Sequence, residues 1–384
     1  MTVLVVLFWM LLLLPLYPFV GYPCALFLLA WGRGARASDA VERAEKPKKV
    51  SILIAAYNEE AHIGNKLDNL LDQQMGGVQV EVLVGNDGSE DDTAGVVSRY
   101  ADHGVRLVDL PRSGKAAALN QLIRAADGDV LVFTDAENTW SPGTLAQLLA
   151  PFDDPHVGGV GARLQVYKGD RAIGLGDRLY RRYESAIKRL ESRLFGAVSL
   201  DGGAYAMRRH LVDTVPLDVT DDFYISTGAV MAGMRLVFCP EAVVWDEGVD
   251  RPRQQFRRRQ RVTVRGMQSL WQRRALLNPG RTGAYALALA SHKLWRRLAP
   301  LMLILALVLS GVLAREGGVY AAIFVAFLVL SLVAAIANLD SSGRFPKGVY
   351  VVGYGATSAL ATATGVIKFL LGVRYSRWTP EQNR

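Results

Sequence analysis

Hydrophobic positions along the chain fall into three regimes. Residues 1–30 carry no charged side chain and are long enough to cross a bilayer core of about 30 Å. From residue 50 onward, short apolar runs alternate with segments of helical period. After about residue 285 long apolar stretches return, at 299–314, 319–339 and 349–373. In the middle regime, runs at 50–56, 80–84, 105–110 and 130–134 are short, apolar and bounded by polar residues, which is how buried strands of a parallel sheet read. Helical patterns at 61–73, from Asp91 to about residue 100, and from Gly114 onward separate them. This alternation predicts an α/β domain with a mostly parallel sheet.

Polar clusters follow successive strands: Tyr57-Asn58-Glu59-Glu60, Asn86-Asp87-Gly88-Ser89, Gly114-Lys115, and Asp135 with Glu137. Ligands of open α/β sheets sit at the carboxyl ends of strands, so these residues stand where a site belongs. Asp135 and Glu137 are hard oxygen donors suited to Mg2+ or Mn2+, metals that keep waters and bind substrate phosphates. Taken singly, each cluster has a plainer reading. Asp87-Gly88 is a turn signal, Gly114-Lys115 a helix start, and Asp135/Glu137 a solvated acidic turn. The G-x-x-x-x-G-K-[ST] phosphate loop is missing, and no G-x-G-x-x-G follows the first strand.

Composition and charge narrow the possibilities. The chain has 384 residues, 51% hydrophobic, with a formal net charge of +8. Arg33, Arg36, Arg43, Lys46, Lys48 and Lys49 follow the first apolar segment. By the positive-inside rule, residues 32–48 form a cytoplasmic basic linker and the N-terminus lies outside. A cleaved signal peptide is the competing reading, but a basic leading region is lacking and the apolar part is too long. Cys24 and Cys239 lie in a predicted span and a predicted strand, and no Cys/His cluster has zinc spacing. The run Arg253 to Gly266 is densely basic. It reads as a solvated block or an amphipathic helix on anionic lipid. Nucleic acid is not expected as a partner, because between Arg257 and Arg265 no aromatic alternates with the arginines.

In order and spacing, the chain resembles the inverting family 2 glycosyltransferases, above all their membrane-integrated branch of hyaluronan, chitin-oligosaccharide, poly-N-acetylglucosamine and cellulose synthases. The matching segments are Ala55-Ala56-Tyr57-Asn58-Glu59, Asn86-Asp87-Gly88-Ser89, Gly114-Lys115, Thr134-Asp135-Ala136-Glu137, Asp201-Gly202-Gly203 through Arg209, Thr220-Asp221-Asp222, and Arg257 to Gly266. The resemblance implies a nucleotide-sugar-binding (GT-A type) fold and a UDP-sugar donor. Ala55, Tyr57, Glu59 and Asp87 would line the nucleotide, Lys115 would approach the donor, and Asp135 with Glu137 would flank the metal on the diphosphate. Asp222 would be the general base and Asp221 its supporting neighbour; Thr220 also fits a helix N-cap. Asp201, Gly202 and Gly203 would meet the acceptor. In the basic run Arg261 fits the diphosphate-contacting arginine. Two departures stand out. Glu137 replaces the family's usual aspartate, and Val262 stands where the family carries an acceptor-stacking tryptophan.

The expected organisation is an anchor at 1–31, the linker at 32–48, a catalytic domain at 49–250, basic interfacial amphipathic helices at 251–298, three spans at 299–373 and a tail at 374–384. Within the interfacial region, 267–277 and 291–298 are the predicted surface helices. Four spans place both termini outside. Such a protein would sit in a bacterial inner (plasma) membrane with its catalytic domain in the cytoplasm. Its partners would be a UDP-sugar, a glycan or lipid-linked acceptor and membrane lipids. The alternative from another class is a membrane scaffold that kept a degenerate nucleotide-binding fold. Within the enzyme reading, a processive polysaccharide synthase competes with a single-sugar glycolipid transferase.

Overall fold

A computed structural model describes residues 1–32, 47–73, 77–167, 173–246, 252–340 and 344–375. Most of the basic linker and the tail therefore lie outside the described residues. The N-terminal segment holds α1 (Thr2–Leu13) and α2 (Tyr22–Gly32), joined by a 3-10 turn at Leu14–Leu16 and a π turn at Tyr17–Gly21. Pro15 and Pro18 each open one of these turns. A proline removes one ladder hydrogen bond, and a local change of turn type absorbs the loss. The prolines thus bend the segment without ending it.

The middle of the chain runs β1 (Lys49–Ala56), α3 (Glu60–Leu71), β2 (Gln79–Asp87), α4 (Thr93–Ser98), β3 (Val105–Leu110), α5 (Lys115–Ala125) and β4 (Val130–Thr134). It continues with β5 (Thr139–Trp140), α6 (Thr144–Leu149), β6 (Val157–Val166), α7 (Ile173–Leu194), β7 (Ala204–Arg208), α8 (Asp221–Met231) and β8 (Arg235–Asp246). The rest is helical: α9 (Pro252–Gln272), α10 (Pro279–Thr282), α11 (Ala284–Leu289), α12 (Arg296–Leu313), α13 (Gly318–Leu339) and α14 (Lys347–Leu370).

The strands form one sheet in the order β3-β2-β1-β4-β7-β6-β8-β5. The first four are mutually parallel, β7 runs against both β4 and β6, and β6 and β8 are parallel. These directions bring the carboxyl ends of β1, β2, β3, β4, β6 and β8 to one edge, together with the starts of β5 and β7. The register pairs Ala56 with Asn86 and Thr134 with Ala204. Loops that are far apart in sequence therefore leave the sheet side by side. Both faces are covered, as continuous apolar strands require. One core joins Ile52, Ile54, Val84 and Val132 to Ile63, Leu67 and Leu70 of α3. The other joins Leu53, Leu83, Leu131 and Phe133 to Leu119 and Leu122 of α5 and Ile225 of α8.

A third core ties the α/β domain to the apolar helices. Tyr22 and Leu26 of α2 meet Ile187 of α7, Phe223 of α8, Leu270 of α9 and Leu289 of α11. Among the described residues three helical stretches are long and apolar enough to cross a membrane: Thr2–Gly32, Ala284–Leu313 and Gly318–Leu339. The second is continuous through a π turn at Ala290–Trp295, so the apolar run from 299 gains the length it lacked alone. Helix α14, expected as a span, is not among the three. It carries Thr357, Ser358, Thr362 and Thr364 and hydrogen bonds to α9 through Gln255–Ser358 and Gln260–Thr364.

The stretches expected at the membrane surface are instead built into the protein. Val264, Met267 and Leu270 of α9 are buried. The supposed interfacial helix 291–298 lies inside the second long apolar stretch, and its His292 and Arg296 turn toward α7. His292 Nδ1 lies 2.6 Å from Glu191 Oε1 and its Nε2 lies 2.9 Å from Glu184 Oε2. Arg296 pairs with Glu184, and the Tyr22 hydroxyl donates to Glu191 at 2.7 Å. Ionisable groups that would be costly to bury alone are buried together. The pattern 291–298 looked interfacial because its partners on α7 are more than a hundred residues away. Glu191 is fully buried. Replacing it with Leu leaves Tyr22 and His292 without their acceptor, and the expected loss is about 3 kcal/mol. An unfolding midpoint unchanged in detergent would show that this network does not hold the junction.

Candidate functional site

The loops at the sheet edge are fixed to one another before any ligand arrives. Asn58 adopts a left-handed conformation, φ 54°, which asparagine tolerates better than most residues. Its amide N–H donates to Ser89 Oγ at 3.0 Å, and its Oδ1 accepts from Glu90 N at 2.8 Å. Asp87, almost fully buried, accepts from the N–H groups of Ser113 (2.7 Å) and Gly114 (2.9 Å) and pairs with Arg112. That fold-back needs Gly88, whose φ is +65° and where a Cβ would lie 2.7 Å from Arg112 N. Lys115 is thereby delivered at the start of α5. Its Nζ contacts Asp135 Oδ1 at 2.7 Å and Asp221 Oδ2 at 3.2 Å.

The turn after β4 is pinned from below by a lysine. Lys66 of α3 is buried and donates to Thr134 Oγ1 (2.9 Å), Asn138 Oδ1 (2.6 Å) and Asn138 O (3.1 Å), with the Trp140 ring 4.9 Å away. Burial holds its ammonium well below the usual lysine range, against the pull of Asp135. Thr134 and Asn138 both donate to Gly203 O, at 2.8 and 2.7 Å. The Asp135-Ala136-Glu137 turn is thus locked to the start of β7. At Gly202 a Cβ would stand 3.6 Å from Asp222 and 3.9 Å from Asp135, so this glycine lines the gap between the two carboxylates. Gly203 is small for a different reason: a Cβ there would meet Leu164 at 2.7 Å.

A cavity of about 500 Å3 opens at this edge. Ala55, Glu59, Lys115, Asp135, Glu137, Asp201, Gly202, Gly203, Asp221, Asp222 and Arg261 all line it. Val262 does too, so the wall where a tryptophan was expected offers no aromatic face. Tyr57 and Asp87 do not line it. The Arg112 guanidinium sits 3.5 Å above the Tyr57 ring and engages Asp87, so both stand behind the 112–114 loop. Thr220 is at the N-cap position of α8, but its hydroxyl meets Ser269 Oγ at 3.0 Å and makes no cap.

Charges in the cavity are strongly perturbed. Burial, then the neighbouring Asp221 and Asp201, push Asp222 up to about 6, despite its hydrogen bond from Phe223 N. Asp221 is held low, because Lys115 and Arg265 outweigh the penalty of its burial. The two adjacent carboxyls are therefore driven apart, the pattern that separates a proton acceptor from an electrostatic partner. Burial would depress Lys115, but Asp135, Asp221 and Asp222 together hold it above the ordinary lysine range. Glu137 is raised to about 7 by burial, Asp135 and Asp246; Glu59 is raised to about 8 by burial, Glu137 and Asp135. Such crowding is what a divalent cation relieves. No three His, Cys, Asp or Glu side chains among the described residues converge to hold a metal unaided. The donor set fits a metal completed by water and diphosphate oxygens.

Sequence reasoning missed several members of the site. Asp246 ends β8 and faces Glu137, with Arg181 at 3.5 Å and Arg258 at 3.7 Å. The signal was present, a carboxylate at the end of an apolar strand. Lys188, which pairs with Asp201, and Tyr180 come from α7. Lys66 gave no signal, because a lysine in an amphipathic helix ordinarily reads as solvated.

Comparison with known proteins places this geometry. Residues 51–215 match the model of the family described as Glycosyl transferase family 2. Poly-beta-1,6-N-acetyl-D-glucosamine synthase of Staphylococcus aureus (strain COL) is 28% identical over 205 residues, 51% of this chain and 49% of that protein. An uncharacterized glycosyltransferase of Nostoc sp. (strain PCC 7120) is 26% identical over 125 residues, 32% of this chain and 38% of the other. The match to these curated relatives thus spans half of their length or less. Among solved structures, the mannosyltransferase PcManGT of Pyrobaculum calidifontis, in complex with GDP-Man and Mn2+, shares the fold. Its TM-score is 0.69 at 24% identity, over 95% of this chain and 99% of that one. With its mixed, mostly parallel sheet and its acidic strand-end motifs, the chain carries a family 2 glycosyltransferase domain of GT-A fold.

Proposed function

We propose that the protein is a membrane-integrated inverting glycosyltransferase. It moves a sugar from a nucleoside-diphosphate donor to a hydroxyl of a glycan or lipid-linked acceptor, on the cytoplasmic side of a bacterial inner membrane. The observation that carries this reading is the single cavity joining Asp135, Glu137 and Lys115 to the buried pair Asp221–Asp222. In the relatives named above, one makes a β-linked N-acetylglucosamine polymer and another binds GDP-mannose with Mn2+. The donor proposed from the Tyr57 and Asp87 motifs is a UDP-sugar, and the neighbour's GDP-mannose adds guanosine donors to the candidates. The replacement of tryptophan by Val262 favours addition of single sugars to a lipid-linked acceptor over processive elongation.

The chemistry follows from the residues. Asp222 takes the proton from the acceptor hydroxyl as that oxygen attacks the anomeric carbon from the face opposite the diphosphate. The bond from that carbon to the diphosphate breaks, and the electron pair leaves with the diphosphate. Lys115 and Arg261 offset the charge developing on it. Asp135 and Glu137 would hold Mg2+ or Mn2+, which supplies further charge neutralisation when bound. Asp221 keeps Lys115 in place and, by staying ionised, raises the proton affinity of Asp222. Lys66 fixes the turn that carries Asp135 and Glu137.

Three outcomes test these roles. Asp222→Asn is expected to lower kcat by roughly 10²–10⁴ while nucleotide affinity, measured calorimetrically, stays near native; unchanged turnover removes Asp222 as the base. Because the base must be ionised, kcat/KM should climb as pH rises through about 6 and level off above it; a flat profile from pH 5 to 8 contradicts the assignment. Lys66→Met, which keeps the apolar stem, should raise the metal concentration for half-activation roughly tenfold, with little change in nucleotide affinity without metal. If that concentration does not move, the turn is positioned by other contacts.

A further inference from the structure

Part of the basic run has no place in the reaction above. Arg265, Ser269 and Arg273 recur at every fourth residue, so they share one face of α9 and its end. All three are buried, and all three grip the start of α8. Arg265 Nη2 donates to Val219 O. Ser269 Oγ accepts from Thr220 N at 2.9 Å and lies 3.0 Å from Thr220 Oγ1. The serine's own proton goes to Arg265 O at 2.8 Å, so between the two hydroxyls Thr220 is the donor. Arg273 Nη2 donates to Tyr224 O at 3.2 Å, and its guanidinium sits 3.8 Å above the Tyr224 ring. Asp221 and Asp222 lie between these points of attachment.

A tether explains Ser269 but not an arginine at 265. Buried backbone groups need partners, and a neutral donor would satisfy Val219 O. Arg265 is only 7% exposed, and its Nε is buried with no partner among the described residues, a cost that a neutral side chain avoids. What a cation alone supplies is charge beside Asp221. Arg265 lines the same cavity as that carboxylate and acts on it together with Lys115. We propose that Arg265 is a positioning residue for the reaction: it ties the start of α8 to α9 and gives Asp221 a second cation, leaving Asp222 as the carboxylate that takes the acceptor proton. Ser269, which carries no charge, serves the tether only. This rests on the transferase reading and names how its site keeps two adjacent aspartates in different roles.

The test uses the full-length protein in detergent, with UDP-N-acetylglucosamine and GDP-mannose as donors, Mn2+ and membrane lipid extract. Arg265→Gln keeps a donor for Val219 O and loses the charge, Arg265→Lys keeps the charge, and Ser269→Ala loosens the tether alone. The other groups that face the aspartate pair, Lys115 of α5, Asp201 before β7, Tyr205 of β7 and Arg297 of α12, are the same in all three. Losing a cation makes the doubly ionised pair harder to reach. Arg265→Gln should therefore move the acid limb of kcat/KM up by about one pH unit, cutting it about 10-fold at pH 5 and little at pH 9, with donor KM near native. Arg265→Lys should return the limb to its native place. Ser269→Ala should lower kcat by about 3- to 10-fold without moving the limb. The same proton is read without turnover, as the carboxyl band that an infrared pH titration finds in the native protein and not in Asp222→Asn. An acid limb and carboxyl titration that Arg265→Gln leaves in place, or that Arg265→Lys fails to restore, overturn the proposal and make the arginine a structural tether. A carboxyl titration that shifts as expected, with no nucleoside diphosphate released by the native protein, upholds the positioning and defeats the transferase reading beneath it.

Discussion

One ammonium group holds the active centre together. Lys115 touches Asp135 at the end of β4 and Asp221 at the start of α8, two elements that no other polar contact described above joins directly. Without a cation between them, the carboxylates along this edge would repel one another. With it, Asp221 stays ionised and its neighbour Asp222 is driven up. The opposite shifts of two adjacent aspartates thus depend on a lysine from a third element. The lysine in turn depends on Gly88 and Asp87, which fold the 112–114 loop back over the sheet.

The surrounding architecture serves this arrangement at two levels. The sheet directions gather six strand ends and two strand starts at a single edge, so motifs scattered over nearly two hundred residues become neighbours. The helices that follow then close the cavity. Helices α7, α9 and α14 contribute Tyr180, Arg261 and Tyr354 to its wall, and the His292–Glu184–Glu191 network ties α7 to the long apolar stretch Ala284–Leu313. Helices outside the sheet are therefore part of the site. Any acceptor would be received on a surface that a soluble fragment ending near Asp246 would lack.

How far the sequence could be read differs by kind of interaction. Strands β3 and β4 were legible to the residue and β1 nearly so, because continuous apolar runs have one stable use in a sheet covered on both faces. Asp135 and Glu137 were singled out because they follow a strand end, and Asp221 and Asp222 through the family resemblance; the structure brings all four to one cavity. The antiparallel β7 was not, since direction is set by pairing and not by local pattern. The segment 291–298 was misread as a surface helix: its basic periodicity is real, but its partners Glu184 and Glu191 belong to a distant helix. Gly203, expected at the acceptor, does line the cavity, and packing beside Leu164 gives a second reason for its lack of a side chain, one that no local pattern shows. Lys66 was invisible for the same reason, that burial is a tertiary property. α14 looked apolar enough to span, yet its threonines and serines serve its contact with α9.

The central claim is that this cavity cleaves a nucleoside-diphosphate sugar with the help of a divalent cation. The most direct measurement is nucleoside diphosphate release by the purified, detergent-solubilised chain, across UDP- and GDP-sugars, with Mn2+, Mg2+ or chelator, with and without membrane lipid extract, and with the products sized. The account predicts metal-dependent release from one donor that rises when lipid is supplied, with a product enlarged by a single sugar. A long polymer would contradict the role given to Val262. Nucleotide binding without release from any donor would contradict the account at its centre.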